Sequence, residues 1–320
     1  FPGPARQATA SYGGALPRMQ VYLPIAELSV DVLVILALGF GVGFLSGLFG
    51  VGGGFLMTPL LIFIGVPSTV AVATSANQTM GGSISGLMGH LKRGNVDLKM
   101  GAVLLVGGLL GSAGGVQLFA WLRRAGQIDV VVAIFYVVVL GTLGALMVAE
   151  SARAILRRRK NVRRRLHAHF WMHGLPFKMR FRQSRLYISV IPPLAIGFFV
   201  GILSAIMGVG GGFVLVPAMI YLLGMPTGVT IGTSLFQVVV VSANVTLLQA
   251  WQTQSVDVVL ALLLMLGAVA GAQWGVRFSG RLSGEETRGL LGLLVLAVAL
   301  ELGWGLVQRP DRIYSLGIAL

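Results

Sequence analysis

The chain has 320 residues, of which 56% are hydrophobic and 11% charged, with a mean hydropathy of +0.87 and a formal charge of +14. That composition excludes a soluble globular domain and points to an all-α polytopic membrane protein, and the apolar runs do not alternate in polarity, which excludes a β-barrel. With no cysteine, disulfides, thiolate metal sites and thiol relays are excluded too.

Residues 1–29 are rich in Pro, Gly and polar side chains and lack an apolar core of signal-peptide length, so they read as a disordered lead-in. Met19 is a candidate start, which would make residues 1–18 an extension. The first transmembrane repeat, 30–150, opens on an apolar run at 30–49 that meets Gly50-Val51-Gly52-Gly53-Gly54-Phe55. Three adjacent glycines lose the most backbone entropy on ordering and should break the helix. Broken backbone cannot face lipid, and survives only when buried in protein or lining a polar cavity. The run after the break, 55–64, closes at Gly65-Val66-Pro67. At about 1.5 Å per residue it reaches halfway across a bilayer. The runs at 68–91, 97–121 and 129–149 are each long enough to span.

Between the halves lies a basic loop, 151–186, with 12 of the 24 Lys and Arg and no Asp or Glu. The positive-inside rule makes it cytoplasmic, and anionic lipid headgroups are the expected partner rather than nucleic acid. The second repeat, 187–308, follows the same order: an apolar run at 187–207, then Gly208-Val209-Gly210-Gly211-Gly212-Phe213, a short run at 213–223, a Gly224-Met225-Pro226 turn, and spans near 230–251, 257–276 and 288–307. A tail, 309–320, ends the chain. Between Ser46–Pro59 and Ser204–Pro217, eight of fourteen aligned positions are identical, and Thr74, Ser75 and Gln78 match Thr233, Ser234 and Gln237. The protein is an internal duplication.

Charge decides whether the copies are parallel or inverted. Lys92-Arg93 falls inside if three full spans precede the basic loop, whereas its second-half equivalent, Gln252-Thr253-Gln254, is uncharged and the next turn holds Arg277, Arg281 and Arg288. That swap predicts two inverted repeats, each a glycine-broken helix hairpin plus three spanning helices, about eight to ten transmembrane segments in all. Both termini then lie outside. Arg123-Arg124 is the one dissent.

Inverted repeats with interrupted helices and matching polar residues are the signature of a secondary transporter with a site near the bilayer midplane. A helix start carries about half an elementary positive charge and free N–H groups, so Gly52, Gly53, Gly54 and Phe55, with Gly210, Gly211, Gly212 and Phe213, are candidate anion binders. The alternative is that the glycines only allow close packing. Thr74 and Gln78 share a helix face with Ser75 beside them, and Thr233, Ser234 and Gln237 repeat the arrangement. Neutral hydroxyls and amides suit an oxyanion that must be released, although Ser and Thr also bond their own helix backbone. Asp97 and Asp257 read as helix N-caps, and His90 as an interfacial histidine. Gly107, Gly111 and Gly115, with Gly267, Gly271 and Gly275, should bring helices into close contact. No HExxH, GxSxG, P-loop or paired-carboxylate pattern appears, so no catalytic residue, metal or cofactor is expected.

The doubled Gly-Val-Gly-Gly-Gly-Phe, an apolar pair and Pro after it, then a Gly-x-Pro turn and a Thr-Ser pair, resembles the TauE/SafE family of sulfite-exporter-like permeases. The resemblance covers residues 30–307. It implies a bacterial inner-membrane transporter of small sulfur-containing anions such as sulfite, thiosulfate or small organosulfonates, working by alternating access; a homo-oligomer is compatible with it. The other reading is a non-transporting assembly or sensor subunit that acts through its basic loop.

Overall fold

The structure is a computed structural model that describes residues 20–49, 53–158, 176–279 and 284–307. Among them are ten helices and two short hairpins. The first half contains β1 (Gln20–Leu23), β2 (Leu28–Asp31), α1 (Val32–Phe49), α2 (Gly54–Phe63), α3 (Ser68–Lys92), α4 (Leu98–Arg124) and α5 (Ile128–Arg158). The second contains β3 (Lys178–Phe181), β4 (Leu186–Ser189), α6 (Ile191–Met207), α7 (Gly212–Tyr221), α8 (Thr227–Gln252), α9 (Val258–Ser279) and α10 (Gly284–Val307).

The helix boundaries follow local chemistry. Asp97 Oδ1 accepts from the N–H of Met100 at 3.1 Å and Asp257 Oδ1 from that of Leu260 at 3.0 Å, so both aspartates cap α4 and α9, as their positions predict. Pro67 and Pro226 stand immediately before α3 and α8. Gly65 and Gly224, with φ of 93° and 72°, turn the chain after α2 and α7.

The halves interlock rather than sit side by side. Helix α1 packs along α9 and α6 along α4, while α3 meets α8 and α5 meets α10. Contacts at the glycines give the directions. Gly39 lies against Leu264 and Gly47 against Ala272, so α1 and α9 are parallel; Gly107 against Leu194 and Gly115 against Ile202 make α4 and α6 parallel. Helix α3 runs with α9, through Thr74 beside Asp257 and Gly81 beside Met265. Helix α8 runs with α4, through Thr233 beside Gly101 and Asn244 beside Ser112. Helices α3 and α8 are antiparallel: Gly86 touches Leu235, while Thr79 and Ser242 converge on Gly210. It follows that α1 opposes α6, α3 opposes α8 and α4 opposes α9 in direction, which is the inverted repeat that the charge pattern predicts.

The glycine ladders make this interlocking possible. A Cβ on Gly111 would lie 1.9 Å from the Phe198 carbonyl oxygen, and one on Gly271 would lie 2.1 Å from that of Phe40. Backbones this close are the small-residue packing of membrane helices. Gly114, on the other side of the same helix, meets nothing within 4 Å. Gly111→Ala should therefore lower the thermal midpoint of the detergent-solubilised protein, at a cost of about 1–3 kcal/mol. Gly114→Ala should leave it unchanged or raise it slightly, and equal effects would contradict the packing role.

Among the described residues four helices are long and apolar enough to cross a membrane: Leu98–Arg124, Ile128–Arg153, Thr227–Gln252 and Val258–Gly275. Apolar helices shorter than these include Val32–Leu48, Gly54–Phe63, Ile191–Met207, Gly212–Tyr221 and Gly289–Gly305. Helix α3 has 25 residues, enough to span, but is diluted by Ser, Thr, Asn, Gln and Gly; it is also lined with buried polar groups.

Two boundaries need correction. Residues 20–29, read as the end of a disordered lead-in, belong to the β1–β2 hairpin, which pairs Gln20 with Asp31 and Leu23 with Leu28. The end of the segment read as basic loop, 178–186, belongs to the matching β3–β4 hairpin, which pairs Lys178 with Ser189 and Phe181 with Leu186. Each hairpin precedes the first helix of its half and has one left-handed turn residue, Glu27 or Arg185, both with φ of 53°. The duplication thus begins about ten residues earlier than the apolar runs suggest, with four-residue strands too short for hydropathy to register. Residues 1–19 and 159–175 lie outside the described residues, as does the tail 309–320.

Candidate functional site

Helix α2 starts beside α1. Gly53 returns to the flank of α1, where its N–H donates to Ser46 Oγ at 2.7 Å and a Cβ would lie 2.8 Å from Val42 Cγ1. Gly52 lies outside the described residues. In the second half α6 stops at Gly208, and Gly208, Gly210 and Gly211 have φ of 69°, 71° and 76°. That backbone disfavours any side chain, and space forbids one as well: a Cβ on Gly208 would sit 2.1 Å from the Val72 carbonyl oxygen. Gly53 has a φ of −47°, so the two breaks do not have identical backbones.

The two turns meet. A Cβ on Gly54 would contact Thr79 Oγ1 at 2.1 Å and the Val209 backbone at 3.0 Å, and one on Gly210 would contact Ser242 Oγ at 2.6 Å. The Phe55 and Phe213 rings stack with centroids 5.7 Å apart and planes 29° apart. Helices α2 and α7, of ten residues each, therefore start beside one another at the pseudo-twofold centre. The first N–H groups of a helix have no intrahelical partner, so two positive helix ends converge within protein. Pro59 and Pro217, inside these helices, cannot donate back to the carbonyls of Phe55 and Phe213, which adds polarity at the same level.

The candidate polar residues are all buried, but they divide by role. Thr74 and Thr233 accept from backbone N–H groups of the opposite half, Asp257 at 3.4 Å and Asp97 at 3.0 Å respectively. Ser234 Oγ donates to the Ile231 carbonyl at 2.8 Å, the local backbone bond that a helical serine can make. Ser75 Oγ, Gln78 Oε1 and both polar atoms of Gln237 are buried without a hydrogen-bond partner among the described residues. A buried, unpaired amide costs about 1–3 kcal/mol, so these atoms fit a place where another polar group can enter. Gln237 borders Gly108 of α4, where a Cβ would come within 2.8 Å of its Nε2.

Sequence reasoning missed Thr79, Ser83 and Ser242. Thr79 and Ser242 touch the glycine turns, and the hydroxyls of Ser83 and Ser242 are buried without a hydrogen-bond partner among the described residues. Ser83 and Ser242 occupy equivalent places in the two repeats, which is the signal that could have found them. No Lys or Arg is buried among the described residues. Gln78 and Gln237 are each 1% exposed. Surface cavities of about 460 Å³ at Phe177, Lys178 and Ile191, and about 270 Å³ at Arg123, Arg124 and Gln252, do not reach the glycine turns. The glutamines of the centre are thus buried in protein among the described residues.

Comparison with known proteins identifies the family. The family model described as Sulfite exporter TauE/SafE matches residues 35–302. A protein of Xylella fastidiosa strain Temecula1, named "Probable membrane transporter protein", is 30% identical over 278 residues, covering 86% of this chain and 95% of the relative. Its counterpart in strain 9a5c, of the same name, is 28% identical with the same coverage. The "Probable membrane transporter protein YjnA" of Bacillus subtilis is 26% identical over 271 residues, 84% of this chain and 98% of the relative. No solved structure matches the chain.

Proposed function

Because this chain belongs to the TauE/SafE family, we propose that it is a secondary transporter that exports small sulfur-containing anions such as sulfite, thiosulfate or small organosulfonates by alternating access of its inverted halves. One observation carries this reading: two half-helix N-termini converge at the pseudo-twofold centre of a multi-pass membrane protein, in a protein interior that holds unpaired amide and hydroxyl groups and, among the described residues, no buried Lys or Arg. Positive helix ends attract an anion. Neutral donors hold it without the full charge that would prevent its release.

The test is flux. Proteoliposomes should give saturable transport of at least one of sulfite, thiosulfate and a small organosulfonate, with little or none of phosphate or a carboxylate of similar size. The transported anion should also raise the thermal midpoint of the solubilised protein, since a ligand that binds only the native state stabilises it. Flux and stabilisation absent for all three sulfur anions would overturn the reading.

We place the protein in the bacterial inner membrane, with the basic segment cytoplasmic and touching anionic headgroups, and both termini outside. The basis is the charge swap between Lys92-Arg93 and the turn bounded by Arg277 and Arg288. Peptide tags at either end should be cleaved by protease added to intact spheroplasts. Cleavage of the tags only in inverted vesicles would reverse the orientation.

A further inference from the structure

The two hairpins are tied to the ends of the central helices by aspartates that already serve as caps. Asp97 Oδ2 accepts from both the N–H and the hydroxyl of Ser184, in the turn of β3–β4, at 3.0 and 2.7 Å. Asp257 Oδ2 accepts from the N–H of Ile25, in the turn of β1–β2, at 3.1 Å. In each case the hairpin belongs to one repeat and the aspartate to the other. Both carboxylates are buried, at 3% and 0% exposure, although the residue that follows each, Leu98 or Val258, is exposed. The strand residues that lead into the two turns, Leu23 and Phe181, are both wholly buried.

Each aspartate also reaches inward. The N–H of Asp97 donates to Thr233, one helical turn from Gln237, and that of Asp257 donates to Thr74, one turn from Gln78. A continuous line of hydrogen bonds and one helix turn therefore joins each surface hairpin to one unpaired glutamine, in two copies of opposite direction.

We propose that Asp97 and Asp257 are the latches of two gates, with the β3–β4 and β1–β2 hairpins as the moving parts, and that each gate is linked through its threonine to the glutamine of the central site. This rests on the transporter reading above. Both latches are closed in this structure, which fits the burial of Gln78 and Gln237. The β3–β4 latch has two donors on one carboxylate oxygen where the other has one, and its threonine link is 3.0 Å against 3.4 Å. The gate at the β1–β2 hairpin therefore opens the more readily of the two.

The absence of native cysteine allows a direct test. A Ser242→Cys reporter places one thiol beside Gly210, and its reaction with a membrane-impermeant maleimide is timed in sealed spheroplasts and in inverted vesicles. Asp97→Asn keeps an oxygen to cap Met100 but turns an amide donor toward Ser184, and Asp257→Asn does the same toward Ile25. Each should speed labelling about tenfold from one face only, and the two should act on opposite faces. Ser184→Ala, which removes one donor without disturbing the cap, should give about a threefold rise from the Asp97→Asn face; it carries the test if Asp97→Asn fails to insert. Unchanged labelling in these variants, or an equal rise from both faces, would overturn the latch. Labelling needs no substrate, so one-sided changes without anion flux would keep the latch and remove the transport reading, while flux with unchanged labelling would do the reverse.

Discussion

Gly211→Leu should abolish anion flux, to below about one hundredth of the wild-type rate per inserted molecule, and Gly53→Leu should abolish it with less damage to stability. At Gly211 two costs coincide. The residue has a φ of 76°, and a Cβ would lie 2.3 Å from Val200 Cγ1. Left-handed backbone in a non-glycine residue costs about 1–3 kcal/mol, and overpacking a filled interior costs about the same again. Gly53 has an ordinary φ of −47°, and its Cβ would meet Val42 Cγ1 at 2.8 Å, so only the second cost applies. In both variants the leucine stands at the start of a half-helix, over the N–H groups proposed to hold the anion. The check is flux normalised to the amount of monodisperse, inserted protein, with thermal midpoints measured beside it. Wild-type flux in both variants would show that the glycine breaks serve packing alone. Equal destabilisation would show that the left-handed backbone at Gly211 is not the source of the difference.

Gln237→Leu should weaken anion binding about five- to a hundredfold while leaving the substrate-free protein as stable as before, or more stable. Both polar atoms of Gln237 are buried and have no partner among the described residues, so replacing the amide by an apolar group of similar size removes a desolvation penalty from the resting state. With the anion present the same change removes a donor, and an anion oxygen left unpaired costs about 1–3 kcal/mol. The opposite signs are the diagnostic feature, because a merely structural glutamine would lose stability and binding together. Gln78→Leu should behave alike. Gln78→Glu should bind the anion worse still at neutral pH, since a carboxylate there repels it. Calorimetry on the solubilised protein decides the matter: normal affinity in both leucine variants, or in Gln78→Glu at neutral pH, would remove the glutamines from the site.

These expectations differ from those the sequence alone supports in one respect. Read as a string, Thr74, Ser75 and Gln78 are three equal candidates, and so are Thr233, Ser234 and Gln237. In the folded chain the threonines are spent on the backbone N–H groups of Asp257 and Asp97, and Ser234 is spent on its own helix. Ser75, Gln78 and Gln237 keep unpaired atoms. A threonine mutation should therefore disturb the junction of the two repeats rather than only the anion, and its loss of function would be the less specific result.

What the sequence determined was the class of structure and its symmetry. Long apolar runs can satisfy their backbone in lipid only as helices, the repeated glycines and prolines mark where those helices break, and the displacement of positive charge from one turn to the next fixes the inversion. Each of these signals is local, or a comparison of two local segments. What the tertiary structure decided was which partner each buried polar atom finds. That Asp97 both caps α4 and holds Ser184, that Asp257 holds Ile25, and that Thr79 and Ser242 border the glycine turns all depend on contacts between residues far apart in the chain. The hairpins escaped sequence reasoning for the same reason. Two strands of four residues are marginal alone, and theirs are fixed by burying Leu23 and Phe181 and by a hydrogen bond to the other repeat, neither of which is written in the segment itself.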